Sequence, residues 1–288
     1  MERLTVFLLI LGATQGFDVT DIFHGDTELP KNAQIAKEKG WKNVETDTKF
    51  NIMWFNKGGS PVQMAFDKKD VLAGVRLAIP KDSNDVFYKN SKLFLEKSIK
   101  IDNKDKTVYV ATVILTDSDI LKGGGRRVNA DDEIIDTIYL LDKTGKETRI
   151  QREACAQLKF DDNIFAEKRC EDTHGLVLAP FKDPSSTCDN PFFLVYDEIQ
   201  KGNLLGFGWL VPASDVEGSK ALENKDRYGK SDLEKLFPSS PTCLAGKTAV
   251  NIWLAKEESK KMNCEVKNKP FKEERCGVYR GPGGDEDF

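Results

Sequence analysis

The chain has 288 residues, of which 31% are charged, 39% hydrophobic and 9% aromatic. Its 43 lysines and arginines against 47 aspartates and glutamates leave a net charge of −4, so no global field is present to hold nucleic acid or an anionic membrane. A chain of this length buries a substantial core, which disulfides would reinforce and not replace.

The first residues read MERLTVFLLILGATQGFDV. A short n-region with Arg3, an apolar run from Leu4 to about Ala13 and the small-residue sequence Thr14-Gln15-Gly16 spell a secretory signal peptide over residues 1–16. The run is too short for the ~30 Å of bilayer hydrocarbon, and no later stretch is long and apolar enough to span it. The expectation is a secreted, extracellular protein with no membrane span. No Asn-x-Ser/Thr sequon occurs, so N-glycosylation is not expected.

Residues 17–280 read as a single large β-rich domain with a possible sub-boundary near residue 154, and residues 281–288 as a flexible acidic tail. In chain order, a helix is expected from Pro30 to Lys39, with proline at its start and Gly40 at its end. Strands follow at Phe50 to Phe55, Val62 to Phe66 and Val75 to Pro80. A hairpin joins Leu93–Ile101 to Lys106–Leu115 through Asp102-Asn103-Lys104-Asp105. A second joins Ile134–Leu141 to Glu147–Arg152 through Asp142-Lys143-Thr144-Gly145. Residues Ala154 to Lys168 read as a helix, Leu176 to Phe181 as a strand. A third hairpin joins Phe192–Ile199 to Leu205–Val211; a short helix capped by Ser231 runs to Phe237, and a last strand covers Ala249 to Ala255. Short strands with regular turn signals define a mainly β fold, an antiparallel sandwich or jelly-roll-like pair of sheets with a few short helices.

All six cysteines, Cys155, Cys170, Cys188, Cys243, Cys264 and Cys276, lie in the second half of the chain. An even count in a secreted protein predicts a disulfide framework that stabilises the C-terminal half. Fifteen pairings are possible; the pairing of near neighbours, Cys170 with Cys188, Cys264 with Cys276 and Cys155 with Cys243, is the expectation. Closing the loop from Cys170 to Cys188 would contribute roughly 3 kcal/mol in the chain-entropy model.

His174 lies inside that loop, and His24 is the only other histidine. Two histidines exclude a three-histidine zinc site, and the cysteines show no CxxC spacing, so no metal or cofactor is expected there. A nucleophilic cysteine needs a free thiolate, which oxidised pairs do not supply. A Ser-His-Asp hydrolase would need His174 or His24 as its base, with His174 the leading candidate, but no Gly-x-Ser-x-Gly is present.

Asp117-Ser118-Asp119 starts like an EF-hand loop and fails at Leu121 and Lys122. Asp131, Asp132 and Asp136 form a weak calcium set whose simpler reading is a solvated acidic face. Adjacent Asp197 and Glu198 point to opposite faces of a strand and make no glycosidase pair. Gly123-Gly124-Gly125-Arg126-Arg127 reads as an exposed mobile loop, alternatively a polyanion contact or a dibasic cleavage site. Aromatics around Trp54-Phe55 and Phe192 to Trp209 read as core filling between sheets, with Gly206 and Gly208 leaving room for a close approach. Function therefore reads as a secreted, non-enzymatic binding or structural protein for glycan, a small apolar ligand or a protein partner. The alternative is a secreted enzyme, a hydrolase using His174 or a cofactor-free oxidase with a buried pocket.

Overall fold

The computed structural model describes residues 17–18, 22–24, 27–81, 85–126, 134–135, 137–159, 167–171, 175–179, 189–197, 203–216 and 246–254. The signal segment, the acidic tail, the helix expected at 231–237, His174, Asp131, Asp132 and Asp136, and Cys188, Cys243, Cys264 and Cys276 lie outside them.

Three short strands open the described chain: β1 (Phe17–Asp18), β2 (Phe23–His24) and β3 (Thr27–Glu28). Helix α1 (Ala33–Glu38) is where the sequence places it; the Asn32 side chain caps it by accepting from the Ile35 amide at 2.8 Å, and Gly40 leaves it at φ +84°. Next come β4 (Lys42–Asp47), β5 (Ile52–Asn56), β6 (Val62–Phe66), β7 (Leu72–Pro80), α2 (Asp85–Asn90), β8 (Leu95–Ile101), β9 (Lys104–Ile114) and α3 (Ser118–Lys122). The second half contains β10 (Ile134–Ile135), β11 (Ile138–Leu141), β12 (Glu147–Ile150), α4 (Ala154–Lys159), β13 (Glu167–Glu171), β14 (Gly175–Ala179), β15 (Phe192–Tyr196), β16 (Leu204–Pro212) and β17 (Lys247–Trp253).

The fold is mainly β, and every strand pairing is antiparallel. One sheet has the order β12-β11-β9-β7-β6-β5-β4, with β8 on the same edge of β9 as β11. The other has the order β13-β14-β15-β16-β17-β2-β3, so the start of the described chain adds a hairpin to its far edge. All three expected hairpins form. The first turns more tightly than its sequence suggests: β8 and β9 pair up to Ile101 and Lys104, leaving a two-residue turn in which Asp102 and Asn103 both take left-handed backbone, φ +50° and +62°.

Two expectations need correction. The helix read over 154–168 is described as α4 over Ala154–Lys159, and its expected end at Lys168 falls in a strand, Glu167–Glu171. Ile134–Ile135 do not continue the second hairpin; they pair with Phe17–Asp18 as β10 and β1. Asp117, the failed EF-hand start, has a simpler purpose as N-cap of α3, accepting from the Asp119 amide at 2.8 Å.

One face of each sheet contributes to the same continuous core. Val62, Met64, Phe66, Leu77, Ile79 and Val113 come from the eight-stranded sheet, and Phe192, Leu194, Tyr196, Phe207, Trp209 and Ile252 from the seven-stranded one. Phe192, Phe207 and Trp209 meet with ring centroids 5.5–5.9 Å apart. Polar bonds tie the parts around this core: Tyr88 donates its hydroxyl proton to Asp215 at 2.7 Å and stacks on Tyr109, and the Tyr196 hydroxyl donates to the Gln151 carbonyl at 2.9 Å. The other face of the seven-stranded sheet is also apolar and buried, through Val177, Phe193, Val195, Leu210 and Trp253.

Candidate functional site

The outer face of the eight-stranded sheet differs, because its middle is polar. Antiparallel register sets Gln63 of β6 opposite Arg76 of β7, and Glu45 of β4 opposite Trp54 of β5. Alternation along each strand sends these four side chains away from the shared core, while Phe55, Met64, Val75 and Leu77 beside them point into it. The sheet curls until its two ends meet across this face. Lys97 of β8 donates to a Glu45 carboxylate oxygen, and Lys42 of β4 reaches Asp102 at the β8–β9 turn, 3.4 Å away.

Arg76 is the centre of the cluster. Its Nε donates to Gln63 Oε1 at 2.7 Å, its Nη1 to Glu45 Oε2 at 2.8 Å, and its guanidinium lies over the Trp54 ring, 4.3 Å from the centroid. The indole fits flat because residue 74 is glycine: a Cβ there would stand 3.3 Å from Trp54 Cη2 and 3.1 Å from the Val113 carbonyl oxygen. Burial pulls the guanidinium below its ordinary value; Glu45 and then Asp47 pull it back, and the group stays charged.

Counting hydrogen bonds shows what the cluster has in excess. Each Glu45 oxygen already accepts a bond, and Gln63 Oε1 accepts from Arg76. Arg76 Nη2, Gln63 Nε2 and Trp54 Nε1 are buried and have no partner among the described residues. All three are donors. The Arg76 Nε–H also orients the Gln63 amide, since its carbonyl must face that donor and its NH2 must point away. Arg76, Trp54 and Gln63 are at most 1% exposed; Lys97 and Glu45, with side chains 32% and 12% exposed, form the solvent side.

Nothing in the sequence announces this cluster as a motif, because its residues come from five strands. The available signal is a lone charge in the apolar run of β7 and a lone amide in that of β6.

Of the residues singled out from sequence, Trp54 belongs to this cluster, His24 stands elsewhere, and His174, Asp131, Asp132 and Asp136 lie outside the described residues. His24 is buried on β2, between β17 and the edge strand β3 of the seven-stranded sheet, its Nδ1 2.7 Å from the Asn251 carbonyl oxygen. Donation to that carbonyl puts the proton on Nδ1, and the partner is main chain, not a carboxylate, so this contact does not build a Ser-His-Asp array. Burial holds the imidazole below its ordinary pKa, with the carbonyl bond opposing. His24 therefore folds neutral, whereas the unfolded chain binds a proton below about pH 6.5. Stability is expected to be full above that pH and to fall beneath it, with a slope of up to about 1.4 kcal/mol per pH unit for one proton. Urea melts of wild type and His24→Asn between pH 5 and 8 measure the effect; an unchanged slope in the variant rules His24 out as its source.

Arg126 corrects the exposed-loop reading of the glycine run. It is 5% exposed, and its amide donates to Asp67 Oδ2 at 3.0 Å. Asp67 is fully buried, and its other oxygen accepts from the Lys69 and Val71 amides. Gly125 permits the approach: its φ is +94°, and a Cβ there would stand 2.8 Å from Asp67 Cγ. Arg127 lies outside the described residues.

The space at Gly206 and Gly208 is used by the chain itself. A Cβ on Gly208 would stand 2.5 Å from Phe193 Cζ, and one on Gly206 2.9 Å from Trp253 Cε3. Phe55, Phe192, Phe207 and Trp209 fill the shared core as expected, but Trp54 lies on the outer face under Arg76. Cys155 on α4 is disulfide-bonded. Among the described residues there is no cluster of histidine, cysteine and carboxylate able to hold a metal ion. No described helix is long and apolar enough to cross a membrane.

These features define a class, a mainly β protein of antiparallel sheets with a buried, donor-rich ionic cluster on one outer face. The chain matches no known protein family, no curated protein and no solved structure.

Proposed function

We propose that the chain is a secreted, extracellular, non-enzymatic binding protein: one domain, a two-layer β-sandwich, its C-terminal half reinforced by disulfides. The apolar leader ahead of Phe17 supports secretion. The core drawn from one face of each sheet supports the sandwich, and bonded Cys155 supports the disulfide framework.

The observation that carries the binding role is the donor surplus around Arg76. Buried donors without acceptors are costly, about 1–3 kcal/mol each, and a ligand that supplies acceptors relieves that cost. The ligand of this reading is small and bears oxygen acceptors, in place of the apolar ligand that composition allows. Thermal melts of the secreted protein against a panel of small carboxylates, phosphates, sugars and amides test it. A saturable rise in Tm for at least one compound, lost when Gln63 and Trp54 are replaced, is expected. A panel without any such rise removes the binding role from this face.

A further inference from the structure

Resting on that binding role, we infer that the cluster takes a small carboxylate or a related oxyanion, with Lys97 as its movable wall. Three features carry the inference. The unpartnered atoms, Arg76 Nη2, Gln63 Nε2 and Trp54 Nε1, are all N–H donors and belong to groups in mutual contact around one guanidinium. A planar oxyanion offers several acceptor lone pairs in the geometry that a guanidinium edge matches.

Charge selects the same ligand. Glu45 is shared by two cations, Arg76 and Lys97, so its single negative charge faces two positive ones; Asp47, the other carboxylate acting on Arg76, does so only through the field. An entering monoanion compensates a buried guanidinium, and a cation meets a carboxylate whose oxygens are both occupied. On the same face, Trp54, Ala65, Ala73 and Ile114 form an adjoining buried apolar cluster, which offers no polar partner to a larger ligand.

Access is through Lys97. Its ammonium bonds Glu45 on the solvent side of the cluster, and with its side chain 32% exposed against 2% for Arg76 this is the ion pair that opens more readily. The released ammonium then lies within reach of the bound anion.

Formate, acetate and inorganic phosphate, titrated at constant ionic strength against chloride, are the probes, with formamide and glycerol as neutral acceptors. Thermal melts and tryptophan fluorescence report binding to the full secreted chain. Formate or acetate is expected to bind saturably, and Gln63→Glu is expected to weaken it about tenfold or more while keeping the fold, because a carboxylate there satisfies Arg76 internally and repels the anion. Lys97→Met, which opens the rim, is expected to bind still and to associate faster. Neutral acceptors binding in place of the anions would overturn the oxyanion inference and leave the binding role standing. No probe binding at all would overturn both. Equal affinity in wild type and in folded Gln63→Glu would show that the anion sits elsewhere, which also overturns the inference.

Discussion

Alanine at Glu45 is expected to cost about 3–5 kcal/mol of folding stability, which for a domain of this kind is a large share of the total. The magnitude comes from what the substitution leaves behind. Arg76 has a side chain only 2% exposed, and its charge loses the carboxylate that compensates it at 2.8 Å. Water reaches the guanidinium poorly, so the lost partner is not replaced. Lys97→Ala removes the other cation on the same carboxylate, yet its side chain is 32% exposed, and the expected cost is about 1 kcal/mol or less. The pair of values is the test, read from urea denaturation with unchanged m-values. Equal costs at the two positions would mean that the Arg76–Glu45 bond is solvated. Replacing Glu45 and Arg76 together by methionine is expected to recover most of the loss, because no buried charge then remains unpaired.

Phe192→Ala is expected to cost about 3–5 kcal/mol as well, by a different route. Phe192 is fully buried and packs against Phe207 and Trp209 where the two sheets share their core. Truncation leaves a cavity whose rigid aromatic walls collapse poorly. Because the core is shared, the loss is expected to move the whole unfolding transition as one, with fluorescence and far-ultraviolet circular dichroism coinciding. Two separated transitions would show that the sheets fold independently. Tyr88→Phe offers a milder comparison near the same seam, since it removes one hydrogen bond to Asp215 and leaves the stack on Tyr109.

Much of the fold was legible because its signals are local. Val62–Phe66 is a strand over the residues expected, and α1 lies inside the stretch read from Pro30 to Lys39 and ends before Gly40 as expected, although the Asn32 cap sets its start at Ala33. The β8–β9 hairpin follows from Asp102 and Asn103, residues that tolerate left-handed backbone better than most. Strand β4 was not legible, since Lys42–Asp47 reads KNVETD and its sole apolar residue is Val44. Its placement depends on pairing with β5, and with it went the acidic member of the cluster. The helix read to Lys168 ran too far because Lys168 pairs across to Leu178 in β14, a contact that single-sequence reading does not detect.

The amino-acid sequence by itself determined that this is a mainly β chain with hairpins at defined turns and strands that alternate between two faces. Those properties reside in periods of two residues and in the backbone preferences of Gly, Asn and Asp, all of which act over a few bonds. Only the tertiary structure decided which lone polar residues meet. Glu45, Trp54, Gln63, Arg76 and Lys97 lie on five strands, and strand register together with the curl that brings β4 to β8 sets them around one guanidinium. A one-residue slip in any pairing would send a member to the other face, so the site exists only as a consequence of register. The same holds for Arg126, exposed by its glycine-rich context and buried by an aspartate 59 residues earlier in the chain.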